Sequence, residues 1–187
     1  ASRLRPKLAS VIDVVQTAFV PERRIGSNIM LLQLVAKNLK IQQKTALAIF
    51  CDFNKAYDTV DREFLYAAME AVGVSSGFLK WVKLLLSNTK AAAVVDGCVD
   101  TMQQFYAGVR QGCPLAPSLY LFIALALLQY LKTHDQLGVN LWMGGGHTER
   151  LVMSQFADDA QVFLEGAAQV PVFEAAMQVF AQASGQV

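Results

Sequence analysis

Leu151-Val152-Met153-Ser154-Gln155-Phe156-Ala157-Asp158-Asp159-Ala160-Gln161-Val162-Phe163-Leu164 sets two adjacent acids between two short apolar runs. Runs of that length, broken by polar residues, read as strands, so the stretch predicts a β-hairpin with carboxylates at its tip. Further upstream, Thr45 to Phe53 is nearly all apolar, follows Lys44 and carries Asp52 near its end. That pattern predicts a strand covered on both faces, with Asp52 at the sheet rim.

Working outward, Leu4, Leu8, Val11, Ile12 and Val15 recur at helical spacing and predict an amphipathic helix ending near Gln16. Phe19 to Gly26 breaks it. A second helix runs to about Lys40, capped by Ser27 or Asn28, with Ile29, Leu32, Leu34, Val35 and Leu39 on its apolar side. Asp61 is placed as the N-cap of a helix over 62–72, Val60 and Leu65 as its hydrophobic staple, and Gly73 as its C-cap. Phe78, Trp81, Val82 and Leu84 to Leu86 mark another helix, and Asp96-Gly97 turns a hairpin between Ala91–Val95 and Val99–Tyr106. A helix from near Pro117 to about Lys132, a turn at Gly144-Gly145-Gly146 and a helix from about Ala168 to Ala183 complete the chain. Strands and helices mix without regular βαβ alternation, which predicts an α+β fold with an antiparallel sheet flanked by helices.

The chain has 187 residues, 54% of them hydrophobic and 17% charged, with mean hydropathy +0.34, so it buries a core and is not disordered. Sixteen Lys+Arg against fifteen Asp+Glu leave a net charge of +1, which says nothing for or against a polyanionic partner. Cys51, Cys98 and Cys113 form no CxxC pair and lie far in sequence from His134 and His147. This predicts a reduced, intracellular protein, nuclear or cytoplasmic, without structural zinc. Residues 111–131 are uncharged, and about 20 apolar residues can cross a bilayer. Pro114 and Pro117 interrupt the run, so a buried helix and no membrane span is expected. No signal peptide is recognisable, and the absence of an initiator Met suggests a piece of a larger protein.

Asp52, Asp158 and Asp159 stand out as the acids in the most apolar surroundings. Two like charges about 4 Å apart repel by roughly 4 kcal/mol at an effective dielectric of about 20. A divalent cation removes that penalty: Mg²⁺ takes one or two carboxylates together with substrate phosphates. On its own, Asp158-Asp159 also fits an Asx-type turn with solvated acids; Asp52 shifts the balance toward a metal site. No Ser/His/Asp or Cys/His arrangement offers a protein nucleophile.

Three segments, in order, resemble the palm motifs of reverse transcriptases: Phe50-Cys51-Asp52-Phe53-Asn54-Lys55-Ala56-Tyr57-Asp58, Gly108-Val109-Arg110-Gln111-Gly112-Cys113-Pro114-Leu115-Ala116-Pro117, and Phe156-Ala157-Asp158-Asp159. Gln16-Thr17-Ala18-Phe19-Val20-Pro21-Glu22-Arg23-Arg24-Ile25-Gly26 is similar to the upstream motif of the non-LTR, LINE-type branch, with group II intron enzymes next nearest. The resemblance spans nearly the whole chain. It implies the polymerase right-hand fold in one domain fragment, with a fingers part over about 1–44 and mostly palm over 45–187. The fingertips and thumb would lie outside, leaving the fragment alone inactive.

The resemblance further implies RNA-directed DNA synthesis from dNTPs on an RNA template with a DNA primer. Two Mg²⁺ ions, with Mn²⁺ as an alternative, would be held by Asp52, Asp158, Asp159 and the Phe53 carbonyl. Tyr57 would lie under the incoming sugar and reject a 2′-hydroxyl, although a core aromatic would look the same in sequence. Gln111 and Gly112 would meet nucleotide and template, glycine admitting close backbone approach. Arg110 would pair with phosphate or stay solvated, and Arg23, Arg24 and Lys55 are weaker template candidates. Cys113 reads as a spacer. Ala116 stands where the family commonly has Ser, and Ala18 where it has Gly. Two rivals stay open: an inactive remnant that keeps fold and RNA binding, and an unrelated Mg²⁺-dependent phosphotransferase or nuclease. The second gives no reason for the Arg110-Gln111-Gly112 loop.

Overall fold

The computed structural model describes residues 1–186. Its elements are α1 (Arg5–Val11), α2 (Gly26–Ile41), β1 (Leu47–Cys51), α3 (Ala56–Thr59), α4 (Arg62–Ala71), α5 (Ser76–Leu86), β2 (Lys90–Ala91), β3 (Val94–Val95), β4 (Cys98–Val99), β5 (Gln103–Gln104), α6 (Ala116–Lys132), β6 (Val139–Gly144), β7 (His147–Leu151), β8 (Met153–Phe156), β9 (Asp159–Leu164) and α7 (Val170–Ser184). The α+β architecture expected from the sequence is what the chain adopts.

The central sheet has the order β1-β9-β8, antiparallel throughout. Leu47 pairs with Leu164 and Cys51 with Ala160 on one side of β9, while Met153 pairs with Val162 and Phe156 with Asp159 on the other. This register brings the residue after Cys51 and the loop after Phe156 to the same end of the sheet. The backbone around Gln16 extends the sheet along the outer edge of β8. Gln155 N–H donates to the Val15 carbonyl at 2.9 Å, and Thr17 N–H to the Gln155 carbonyl at 3.0 Å.

Behind the sheet, α6 is buried around its circumference from Leu119 to Leu125, so its apolar sequence reflects a core position. No helix among the described residues is long and apolar enough to cross a membrane. Helices α4 and α7 pack on α6, and α5 packs on α4. The main core joins Leu65, Met69, Leu121, Leu128, Val162 and Phe180; a smaller one, Val35, Leu39, Val139 and Phe163, fills the space between α2 and the strands. Each fully buried aliphatic or aromatic side chain in these layers contributes roughly 1.5–3 kcal/mol.

The local signals of α4 hold as expected. Asp61 accepts the Phe64 N–H at 2.8 Å, Val60 and Leu65 are fully buried, and Gly73 turns the chain at φ +82. The Asp96-Gly97 turn is present, joining β3 to β4 with both residues at positive φ.

Four expectations are corrected. β1 is an edge strand, not one covered on both faces, and Leu47 and Phe50 are 42% and 67% exposed. Helix α1 stops at Val11, because Ile12 turns extended, well short of Gln16. Ser27 and Asn28 lie inside α2 instead of capping it; buried Asn28 directs its amide sideways into β8, while Ile29 and Leu34 face outward. Leu151 closes a hairpin with Val139 that periodicity did not announce, so the acid-bearing hairpin begins at Met153.

Candidate active site

The two strands that end at the acids set the frame. Asp52 leaves β1 exposed, Asp158 is half-buried in the loop after β8, and Asp159 opens β9. Burial first, then the charges of Asp158 and Asp52, hold the Asp159 carboxyl above the ordinary carboxylate range. The three acids therefore share one electrostatic neighbourhood. Asp52 and Asp159 also line one cleft with Ile25, Phe50 and Phe156. Among the described residues no three His, Cys, Asp or Glu side chains converge into a complete metal cage. Hard carboxylate oxygens that repel one another and leave room for other ligands fit a hard divalent cation that keeps waters and substrate phosphates in its shell. Phe53 packs its ring into the main core and so anchors the backbone just after Asp52.

Tyr57 stacks on Tyr120 with ring centroids 4.9 Å apart and planes 30° off parallel. Burial, and next the charge of Asp158, push the Tyr57 hydroxyl up to about 12. Tyr120 is raised as well, by burial and then by Asp158, Tyr57 and Asp52. Tyr57 thus packs on the core through Tyr120 and lies within the field of Asp158. Its partner is held from the far end of the chain. The Tyr120 hydroxyl donates to Gln186 Oε1 at 3.1 Å, and Gln186 Nε2 donates to the Ala56 carbonyl at 3.0 Å and to Thr59 Oγ1 at 3.0 Å.

The Gly108–Gly112 loop is zipped to the segment after Asp52. Gly108 N–H donates to the Val60 carbonyl at 2.8 Å, Val109 N–H to the Tyr57 carbonyl at 2.7 Å, and Gln111 Nε2 to Asp58 Oδ2 at 3.1 Å. Arg110, Gln111 and Gly112 are exposed and line one cleft with Leu85 and Thr89. Gly112 has φ +81 and open space where a side chain would stand. Cys113 is half-buried against the main core, in keeping with a spacer.

Sequence reasoning missed Arg62, which fastens this loop. Its Nε donates to the Gly108 carbonyl at 3.0 Å, Nη1 to the Leu86 and Phe105 carbonyls at 2.6 and 3.2 Å, and Nη2 to Thr89 Oγ1 and the Ala107 carbonyl, both at 2.9 Å. A cation in the first turn of a helix opposes the helix dipole, and that anomaly was the available signal.

The weaker basic candidates separate. Arg23 is held by backbone carbonyls near α1. It donates to the Ala9 carbonyl in the last turn of α1 at 3.3 Å and to the carbonyls of Ile12 at 2.8 Å, Asp13, and Gln16 at 2.7 Å in the segment that follows. Its half-buried guanidinium is engaged with these backbone carbonyls. Arg24 and Lys55 are exposed, and Lys55 begins α3 in the left-handed region at φ +51.

Comparison with known proteins bears on the same chain. The family described as "Reverse transcriptase (RNA-dependent DNA polymerase)" matches residues 1–186. The transposon TX1 uncharacterized 149 kDa protein of Xenopus laevis is 28% identical over 185 residues, 97% of this chain and 14% of that protein. A retrovirus-related Pol polyprotein from type-1 retrotransposable element R2 of Popillia japonica is 30% identical over 94 residues, 50% of this chain and 16% of that protein. The chain thus spans only a small part of the relatives it matches. A solved apo telomerase from Candida tropicalis, truncated from its C-terminal domain, is alike in fold, with TM-score 0.56 and 12% identity over 84% of this chain and 32% of that one.

Proposed function

The chain belongs to the reverse transcriptase family, and from that premise we propose that it carries the nucleotidyl-transfer centre of a LINE-type RNA-directed DNA polymerase. The substrates are an RNA template, a DNA primer and deoxynucleoside triphosphates, with residues 1–44 belonging to the fingers and most of 45–187 to the palm. One observation supports this reading above the others: Asp52, Asp158 and Asp159 lie within one another's field beside Tyr57. Retrotransposable-element relatives agree with the LINE-type branch.

Asp52, Asp158 and Asp159, with the Phe53 carbonyl, would hold two Mg²⁺ ions. Ions held there would supply acidity to the primer 3′-hydroxyl and positive charge for the pyrophosphate leaving group. The protein's own groups do the rest. Burial, and then the charges of Asp158 and Asp52, make the Asp159 anion less favourable, so a cation placed beside it would relieve that cost. Tyr57, neutral because its hydroxyl titrates near 12, offers an uncharged ring to the incoming sugar and excludes a 2′-hydroxyl. Gln111, oriented by Asp58, contacts the nucleotide, and Gly112 admits the template backbone. Arg110 meets the triphosphate, and Arg24 and Lys55 the template.

The test is primer extension on an RNA template with Mg²⁺, using the open reading frame extended at both ends. Asp158→Asn is expected to cut extension by orders of magnitude while RNA binding and folding persist. Retained extension would remove the metal assignment. A folded, RNA-binding wild-type protein that never extends a primer would instead be an inactive remnant.

A further inference from the structure

Gln16 is 1% exposed, and both ends of its side-chain amide are spent on one distant residue. Oε1 accepts the Ala157 N–H at 3.0 Å, and Nε2 donates to the Ala157 carbonyl at 3.1 Å, across 141 residues of sequence. Oε1 also accepts the Ala18 N–H at 3.0 Å, which holds the amide in its own loop. Ala157 is the first of the two residues between the paired Phe156 and Asp159, and it has φ +56. A two-residue hairpin loop needs a positive φ there and favours glycine, so alanine keeps this shape only when its surroundings impose it. Gln16 supplies that constraint through the backbone of Ala157 itself.

A second amide fastens the same strand. Asn28 Nδ2 donates to Ser154 Oγ at 2.7 Å and to the Gln155 carbonyl at 2.8 Å, while its Oδ1 accepts from Thr17. Ser154 and Gln155 of β8 and Ala157 of the turn after it are therefore tied by Asn28 in the first turn of α2 and by Gln16 ahead of that helix, and the tie nearest the carboxylates is Gln16.

We propose that Gln16 is a positioning residue for Asp158: its amide sets the left-handed backbone of Ala157 and with it the direction in which the adjacent carboxylate leaves the hairpin. Gln16 is enclosed, so it acts on the reaction through the turn and not by touching nucleic acid. The proposal rests on the reading of Asp158 as a metal-holding residue.

The experiment compares Gln16→Ala, Gln16→Glu, Asp158→Asn and a distant core truncation, Leu79→Ala, in the extended open reading frame. Four quantities are read: hydrogen exchange at the Ala157 amide, Mn²⁺ affinity by electron paramagnetic resonance, the single-turnover extension rate at saturating Mg²⁺, and template–primer Kd. Gln16→Ala is expected to accelerate exchange at Ala157 and to weaken Mn²⁺ binding and extension by roughly 10–100-fold, the range for a residue that orients a metal ligand. Its template–primer Kd stays at the wild-type value. Gln16→Glu keeps the acceptor for the Ala157 N–H and loses the donor, so its effects fall between. Equal losses in Leu79→Ala, unchanged exchange at Ala157, or a shifted Kd with an unchanged rate would each overturn the proposal. Extension lost in Asp158→Asn but untouched in Gln16→Ala overturns it alone; extension that survives Asp158→Asn overturns the reading of the site together with it.

Discussion

Gly108 and Asp58 meet backbone to backbone: a Cβ on Gly108 would stand 2.5 Å from the Asp58 carbonyl oxygen and 2.9 Å from its carbonyl carbon. Gly108 also sits at φ +81, where side chains are strained. This contact welds the Gly108–Gly112 loop to the segment that carries Asp52 and Tyr57.

Gly108→Ala should therefore destabilise the protein by roughly 2–5 kcal/mol, since neither the strain nor the clash with main chain can relax. Gly112→Ala shares the positive φ but meets open space, so it should cost only about 1 kcal/mol. Melting temperatures of the pair check this. Extension by Gly112→Ala should fall further than its stability does if template passes there.

The Tyr57–Tyr120 stack separates packing from selection. Tyr57→Phe keeps the ring and should preserve both stability and discrimination against ribonucleotides. Tyr57→Ala should lose roughly 2–3 kcal/mol and relax that discrimination. Selectivity unchanged in Tyr57→Ala, measured as the ratio of kcat/KM for dNTP and rNTP, would leave Tyr57 a core residue only.

Arg62 binds five acceptors with a planar fork that an ammonium cannot reproduce. Arg62→Lys should cost about 2–4 kcal/mol and raise hydrogen exchange through residues 105–109, ahead of α6. A melting curve within error of wild type would show the fork to be dispensable.

Asp13 gives a pH signature. Burial works against its ionisation, but Lys132 at 2.7 Å, the Val15 N–H and Arg23 outweigh it and hold the carboxyl below the usual carboxylate range. A depressed native pKa means the stabilisation is complete above the ordinary Asp value of about 4 and fades as pH falls through the native value. Asp13→Asn should lower stability by about 1 kcal/mol at pH 7, and the difference should shrink below about pH 4. A gap that stays constant with pH would rule the pair out as its source.

Much of this architecture is written locally. Asp61 caps α4 because its carboxylate reaches Phe64 three residues on, and Asp96-Gly97 turns a hairpin because both tolerate positive φ; neither needs the rest of the chain. The apolar runs around Ala157-Asp158-Asp159 and before Asp52 likewise marked the acids as strand-end residues. These signals depend on spacing of a few residues, which periodicity and capping rules read directly.

The pairing of those strands in the order β1-β9-β8, and the exposure of Phe50 on the outer one, came only from the folded chain. The same is true of every long polar side chain that matters. Arg23 looked like a surface cation and binds the backbone at and after the end of α1; Arg62 drew no attention and holds a loop; Gln16 matched a motif and grips Ala157. Apolar residues announce their burial through a repeating pattern, because the hydrophobic effect is non-directional and acts on whole faces. An amide or a guanidinium has no such period: its partner is whichever backbone group the packing leaves unpaired, and that is decided in three dimensions.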